Sequence, residues 1–491
     1  MNSKLTETTR YFCAAAHLDW MFRNQVLETV MEEEVRTVGR SYGLDLATVV
    51  KHCLVAKRRE GIRDILIFLT LALTSILYVY YMSHVVTTGA LPTSNAIFEI
   101  PLAFIGLWSI FFVDMLICHY GIVGKYLLKG QYSPDAIGWK PNQREEKRLT
   151  QITAEQQSHV IAYSGFSPFV GSGFSVQEWS FALNCNTGKE ALGSSCKPIP
   201  FTINDLYESL ENSIKVLNIG SIVMEDQLYV HGQDVISRDN FLGGVLSRNL
   251  VADEPFLIQS YINNPTSAIR HYKCFRIVDW EGELIVSVFV RFAKINHHLF
   301  VETNYYTLCP LRDSFHKVDA MQPEPTFRHV CQLIARSTLL ALVTINLCLP
   351  IMFFRGMKYI NKTFKRRSIR QMVKSSPHFD YGAEISLRQI ASSPEYRHYF
   401  QKLDRLMYHK IIEREVLETL TNFLDDHNID TSELKERQTA ILNNGIIVSS
   451  GDVKAESIAV GEGATSKVAQ FANKFRYASG NAAPPAATTT K

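Results

Sequence analysis

Three runs along this chain lack the polar interruptions of a globular sequence. Ile65 to Val86 (ILIFLTLALTSILYVYYMSHVV) holds no acid, lysine or arginine, and Tyr78, Tyr80 and Tyr81 gather toward its far end, where amphipathic rings favour a membrane interface. Ile100 to Gly124 (IPLAFIGLWSIFFVDMLICHYGIVG) is as apolar, with Pro101 predicted in the first helical turn, where a missing N–H costs nothing. Each run is long enough for the about 20 residues that cross a bilayer. Each is apolar all round, which favours a span over a pair of buried core helices. The third run, Ser337 to Phe354, is 18 residues long and carries Asn346 and Pro350 in its second half.

Charge at the flanks orients the first two runs. Lys57, Arg58, Arg59 and Arg63 precede the first; Lys125, Lys129, Lys140, Arg144, Lys147 and Arg148 follow the second; the linker between them has one charge, Glu99. Because basic flanks stay in the cytoplasm, residues 63–128 are expected to form a transmembrane hairpin, with 87–96 outside and 1–60 and 130–330 inside. A third crossing would carry the basic stretch after Phe354 outside. The third run (337–354) is therefore expected to be re-entrant or interfacial, keeping Arg336 and Arg355 on one face; a true span with the carboxy terminus outside is the rival. Asp114, an acid at membrane depth, is costly there and such groups are often functional. The plainer expectation is that it faces the partner helix, near Thr74 or Ser75, or draws water from the inner side.

Elsewhere the pattern is that of a soluble α+β protein. Residues 1–62 carry apolar groups at helical spacing, with a break at Gly43 and a second helix opening at Asp45 that can run into the first span. His17, beside Asp19, is expected at the surface. Residues 150–330 are expected to form a cytoplasmic α+β domain. VIAYSGF and EWSFALNC read as strands, and FTINDLYESLENSIKVL as a helix capped by Thr202 or Asn204. SIVMEDQLYVHG reads as a hairpin around Glu225 and Asp226. HYKCFRIVDW, LIVSVFVRFAKI and LFVETNYYTLCPL form an antiparallel meander by alternation and β-branched content. Gly171-Ser172-Gly173 favours a tight turn over a phosphate loop, since no helix follows it. His297 and His298 fall in a turn and favour a solvated position over a metal pair.

Residues 355–442 form a basic and then helical region. Arg355, Lys358, Lys362, Lys365, Arg366 and Arg367 directly follow the third apolar run and are expected against anionic lipid headgroups. Tyr359 and Phe364 are the only aromatics among these bases, so stacking on nucleic acid is disfavoured. Phe400, Leu403, Met407, Ile411, Leu417, Leu420 and Leu424 share or adjoin one helical face. Residues 443–475 read as short β-rungs that need a partner to bury a core, most simply the same tail of another copy. Residues 476–491 are expected to be disordered.

Composition changes little in this picture. The apolar fraction of 46% is ordinary and the net charge of +3 is too small to argue for nucleic acid. The nine cysteines show no metal-ligand spacing; Cys185 and Cys196 are expected to be free thiols inside the cell, although they would suit a disulfide outside it. The first residues show no signal peptide, so insertion is expected to use an internal signal anchor. No catalytic motif and no cofactor motif stands out.

The stretch FDYGAEISLRQIASSPEYRHYFQKLDRLMYHKIIEREVLETLTNFLDDHNIDTSELKERQTAILNNGIIVSSGDVKAESIAVGEGA resembles the carboxy-terminal part of a family of uncharacterised actinobacterial multi-pass membrane proteins. Arg10 to Asp19 and Tyr163 to Leu183 resemble other blocks of that family. The resemblance implies a bacterial membrane protein and supplies no activity or site residue. The expectation is a membrane-anchored cytoplasmic scaffold that self-associates and binds a protein partner of unknown identity. The rivals are a membrane-associated enzyme working through the α+β domain, which the sequence disfavours, and an oligomeric channel or transporter component using the Asp114 helices. An enzyme would require the Gly171 loop, the strand Glu178–Leu183 and the His297–His298 pair to converge.

Overall fold

The amino-terminal helices form where the spacing of apolar residues puts them. In the computed structural model, which describes residues 6–88, 95–134, 138, 140–191, 194–219, 222–235, 255–376 and 378–443, α1 (Glu7–Leu18) starts at Thr6, whose hydroxyl accepts from the Thr9 amide. Asp19 caps α2 (Trp20–Val26), accepting from the Met21 and Phe22 amides. His17 is not at the surface: it is 3% exposed and its Nε2 lies 3.2 Å from His52 Nδ1. The face of α1 that seemed free is covered by α3 (Leu46–Thr88), a single 43-residue helix that joins the second amino-terminal helix to the first apolar run. The second run is α4 (Asn95–Leu116), continued by a π-helical segment Ile117–Val123. Because α4 begins at Asn95, Pro101 sits inside the helix rather than in its first turn.

After α5 (Gln143–Gln157), which opens on an Asn142–Glu145 capping box, the chain builds a six-stranded mixed sheet. The strands are β1 (Val160–Tyr163), β2 (Phe174–Asn184), β3 (Ile222–His231), β4 (Arg270–Asp279), β5 (Leu284–Ile295) and β6 (His298–Leu308), in the order β1-β3-β4-β5-β6-β2. β1 and β3 are parallel and every other pairing is antiparallel. The expected meander is β4-β5-β6. The expected hairpin at Glu225–Asp226 does not form: both acids lie mid-strand in β3. Basic partners outweigh their turn preference, because Arg276 of β4 reaches Glu225, and His271 and Lys273 of β4 reach Asp226. Helix α6 (Ile203–Val216), capped by Thr202 with Asp205 completing the box, packs beside β5, and α7 (Pro255–Ile262) lies beside β3 and β4.

The third apolar run belongs to α8 (Phe327–Ser375), one uninterrupted 49-residue helix. A re-entrant turn is therefore not formed at Asn346 and Pro350. A proline in a long apolar helix removes one backbone bond, and neighbouring turns absorb that loss. The start of α8 packs on the second apolar helix, and its end meets the sheet. Near its start, His329 Nδ1 lies 2.5 Å from the Tyr120 hydroxyl and Ala341 is buried with Leu107 and Phe111; near its end, Val373 is buried with Val35, Val160, Leu228 and Val230. After α8 come α9 (Tyr399–Asp426), which packs on α6 and β5, and α10 (Ser432–Asn443). Residues 1–435 form one compact unit. One core cluster joins α1, the first third of α3, α5 and the segment Leu311–Val318. The expected rungs at 445–475 and the tail at 476–491 lie outside the described residues.

Candidate functional site

The residues that set this chain apart lie where the apolar helices meet the soluble body. α3 and α4 run antiparallel, with Leu107 and Phe111 packed near Ile67 and Leu71. That register carries Asp114 below the apolar contacts, level with Arg59 and Arg63. Asp114 Oδ1 lies 3.0 Å from Arg59 Nε, and its Oδ2 lies 3.3 Å from Arg63 Nη1. The expected neighbours Thr74 and Ser75 are not its partners. They sit about 16 Å further along α3, and their hydroxyls donate to carbonyls of their own helix. Asp114 thus closes a charged collar with the bases that flank the first apolar run. The collar continues through Arg23 and Glu60 at 2.5 Å. Cys118, 5% exposed, donates to the His17 carbonyl at 3.4 Å and ties α1 to α4 at the same level.

The basic stretch of α8 is divided by the fold. The side chains of Arg355, Lys358 and Lys362 lie outside the described residues. Lys365 and Arg367 are exposed, while Arg366 is half-buried. Arg366 and Arg370 face an acidic segment of the same chain, and Arg370 pairs with Glu34. Glu28, Glu32, Glu33 and Glu34 form the opposite wall of a cleft of about 260 Å³. Arg366 is thus directed at carboxylates of its own chain.

Groups expected to converge in an enzyme do not. Gly171 and Gly173 adopt φ of +91° and +93°, a conformation that favours glycine. The Gly171 amide donates to the Gln389 side chain and the Ser172 amide to the Phe169 carbonyl, so both donors are occupied within the fold. Phe169 stacks on Phe289 at 4.3 Å and anchors the loop to the sheet. The loop meets the start of β2, where Phe174 pairs with Thr307, whereas His298 pairs with Asn184 at the far end. Ten residues of strand separate them, roughly 33 Å. His297 and His298 are exposed, as expected for a solvated turn. Cys185 and Cys196 are free thiols.

The sheet does carry two buried charge clusters that sequence reasoning missed. Glu225 accepts from Arg40 and Arg276, both at 3.0 Å, and the Arg276 guanidinium lies 3.4 Å from the Tyr42 ring centroid. Burial alone would push the Glu225 carboxyl up, but the two arginines hold it down to about 2. One strand position on, Asp226 meets His271 and Lys273, each at 2.9 Å, and Lys273 also reaches Glu211 at 2.8 Å. Burial again opposes ionisation of Asp226, and His271 with Lys273 reverses it. Each acid is matched by bases, so both clusters hold β3 to β4, the first also tying them to the amino-terminal segment through Arg40 and the second to α6 through Glu211. Among the described residues no group of three His, Cys, Asp or Glu side chains is placed to hold a metal ion.

A family model described as an AbeC-like domain matches residues 178–454, more than half of the chain. The match runs from β2 through α10 and takes in most of the carboxy-terminal stretch that carried the family resemblance, while Arg10–Asp19 and the apolar hairpin lie before it. No curated protein and no solved structure matches the chain. On the extent of that match, the chain belongs to the AbeC-like domain family.

Proposed function

We propose that this is a multi-pass bacterial membrane protein that moors an α+β body to the inner face of the bilayer and acts as a self-associating scaffold. The observation that carries this reading is exposure. The most apolar window of α3 is 0% buried and that of α4 is 17% buried, whereas core helices of such composition are covered. Ile65, Leu69, Leu73, Ile76, Leu102 and Ile105 all face outward; a contiguous apolar surface of this kind marks a membrane or protein contact. The charged collar of Asp114, Arg59 and Arg63 then falls at the interface level. The burial of Val373, near the end of α8, against the sheet supports a carboxy-terminal region on the same side of the membrane as the sheet. Reporter fusions at Thr93 and Asn142 test the placement: opposite compartments are expected, and a shared compartment would rule out the hairpin.

Self-association is supported by α9. Leu417, Leu420 and Leu424 are buried, but Phe400, Leu403, Met407 and Ile411 leave a stripe 36–65% exposed on the same helix. The mass of the detergent-solubilised chain is expected to fall to that of a monomer in Leu403→Asp/Met407→Asp or on deletion of residues 445–475. A mass unchanged by both alterations, or a monomeric parent, would remove this part of the proposal.

A further inference from the structure

We infer that the second half of α8 is an amphipathic helix that seats on an anionic lipid surface, a membrane contact separate from the hairpin. It rests on the membrane reading above and extends it from a cluster of bases to a built surface. One side of this half-helix belongs to the soluble body: Val373 is 2% exposed, Ile369 packs against the same cluster, and Arg366 and Arg370 face the Glu32–Glu34 wall. The opposite side carries Met357, Ile360 and Phe364, spaced by three and four residues and therefore aligned along one face. Their exposures are 43%, 54% and 63%. Met372, 54% exposed, extends the apolar surface toward the end of the helix.

The bases complete the pattern. Lys365 and Arg367 are exposed and, at helical spacing, fall on the two flanks of the Ile360–Phe364 stripe, Lys365 on the side that also lines the acidic cleft. An apolar stripe with bases on both flanks fits a helix lying at the headgroup boundary. The acids that would repel an anionic surface lie behind the helix, in the cleft, and pair inward: Glu34 with Arg370, and Glu32 with Lys57 at 3.2 Å. Lys57 also fixes the height of this assembly. It precedes the first apolar residue, Ile65, by about 12 Å along α3, so the acidic segment and the helix it holds stay near the membrane surface. The charge complementarity of the flanks selects an anionic bilayer over a second copy of the chain, whose equivalent helix carries the same positive flanks.

The test places an environment-sensitive fluorescent amino acid at Phe364, at Leu73 within the first span, or at Glu384 on the body, in the full chain reconstituted into vesicles of phosphatidylcholine with phosphatidylglycerol. Brominated lipids are expected to quench most of the emission at positions 364 and 73 and little at 384. Lys365→Glu with Arg367→Glu is expected to restore the emission at 364 while leaving 73 quenched. A probe at 364 that stays bright while 73 is quenched overturns the inference, as does quenching at 364 that ignores both charge reversals. Crosslinking between two copies at 364 would assign the stripe to self-association and overturn it equally. A probe at 73 that stays bright refutes the membrane reading itself.

Discussion

Asp114→Asn removes the acid that Arg59 and Arg63 share and should loosen the whole collar. Asp114, Arg59 and Arg63 side chains are 13%, 15% and 18% exposed, so the pairs are screened only in part. At an effective dielectric of about 20, unit charges roughly 4 Å apart attract by about 4 kcal/mol before desolvation is counted. Removing one partner of a buried pair costs about 3–5 kcal/mol, because the other is left uncompensated. Arg63 retains Asp64 at 3.1 Å and Glu60 at 3.8 Å. Arg59 has no other carboxylate partner among the described residues. The loss should therefore sit near the lower end, about 3 kcal/mol, and fall mainly on Arg59. Cys118 reports the event, since it is buried at the same level against the His17 carbonyl. Its maleimide labelling, followed peptide by peptide by mass spectrometry, should quicken by about 100-fold if labelling tracks local opening. Adding Arg59→Gln should return most of that change, because the stranded charge is gone. A single variant within about threefold of the parent, or a double variant no slower than the single, would refute the coupling.

Three further outcomes follow from the soluble body and α8. Gly171→Ala would set a Cβ 2.2 Å from the Arg40 carbonyl at a φ of +91°, and should lower stability by about 3 kcal/mol or more in thermal unfolding. Gly61→Ala, with nothing within 4 Å on α3, should raise it by about 1 kcal/mol; equal effects would discount the packing argument. Glu225 is held at about 2 against an ordinary 4.5, so its contribution is present above pH 4.5 and is lost as pH falls toward 2. Glu225→Gln should flatten the fall of the urea midpoint over that window, and an unchanged slope would show that the arginines do not govern it. Cysteines placed at Ser375 and Asn142 should both resist a membrane-impermeant reagent in intact cells while one at Thr93 reacts; labelling of Ser375 would put the end of α8 outside.

What the sequence made legible is what short-range physics controls. The meander β4-β5-β6 announced itself by alternation, α6 by its Thr202–Asp205 box, and the hairpin α3–α4 by length and uniform apolarity. The failures share a cause. His17, Glu225 and Asp226 are polar groups whose partners are remote in sequence. His52 stands 35 residues from His17, and Arg276 stands 51 from Glu225. A polar residue without a visible partner reads as surface or turn, and only tertiary pairing reverses that. Pro350 is the complementary case: local propensity predicts a break, and the continuity of α8 overrides it.

The charge pattern from which the orientation of the hairpin is proposed shows how the two levels interact. In the folded chain Lys57 pairs with Glu32, Arg58 with Glu145, and Arg59 and Arg63 with Asp114. The flank before the first run, where the bases are most closely spaced, is largely neutralised. Lys125, Lys129, Lys140 and Lys147, after the second run, remain exposed. In the proposed topology, positive flanks would act while the segments insert, before Asp114 and Glu145 find their partners, so the later pairing would not cancel the earlier bias. In that topology the same bases would serve a second purpose, because Arg59 and Arg63 would compensate an acid that is otherwise costly at the membrane edge. Reversing the charge of Arg59 should then cost stability without inverting topology, whereas removing the exposed lysines after the second run should weaken topology and leave the collar intact.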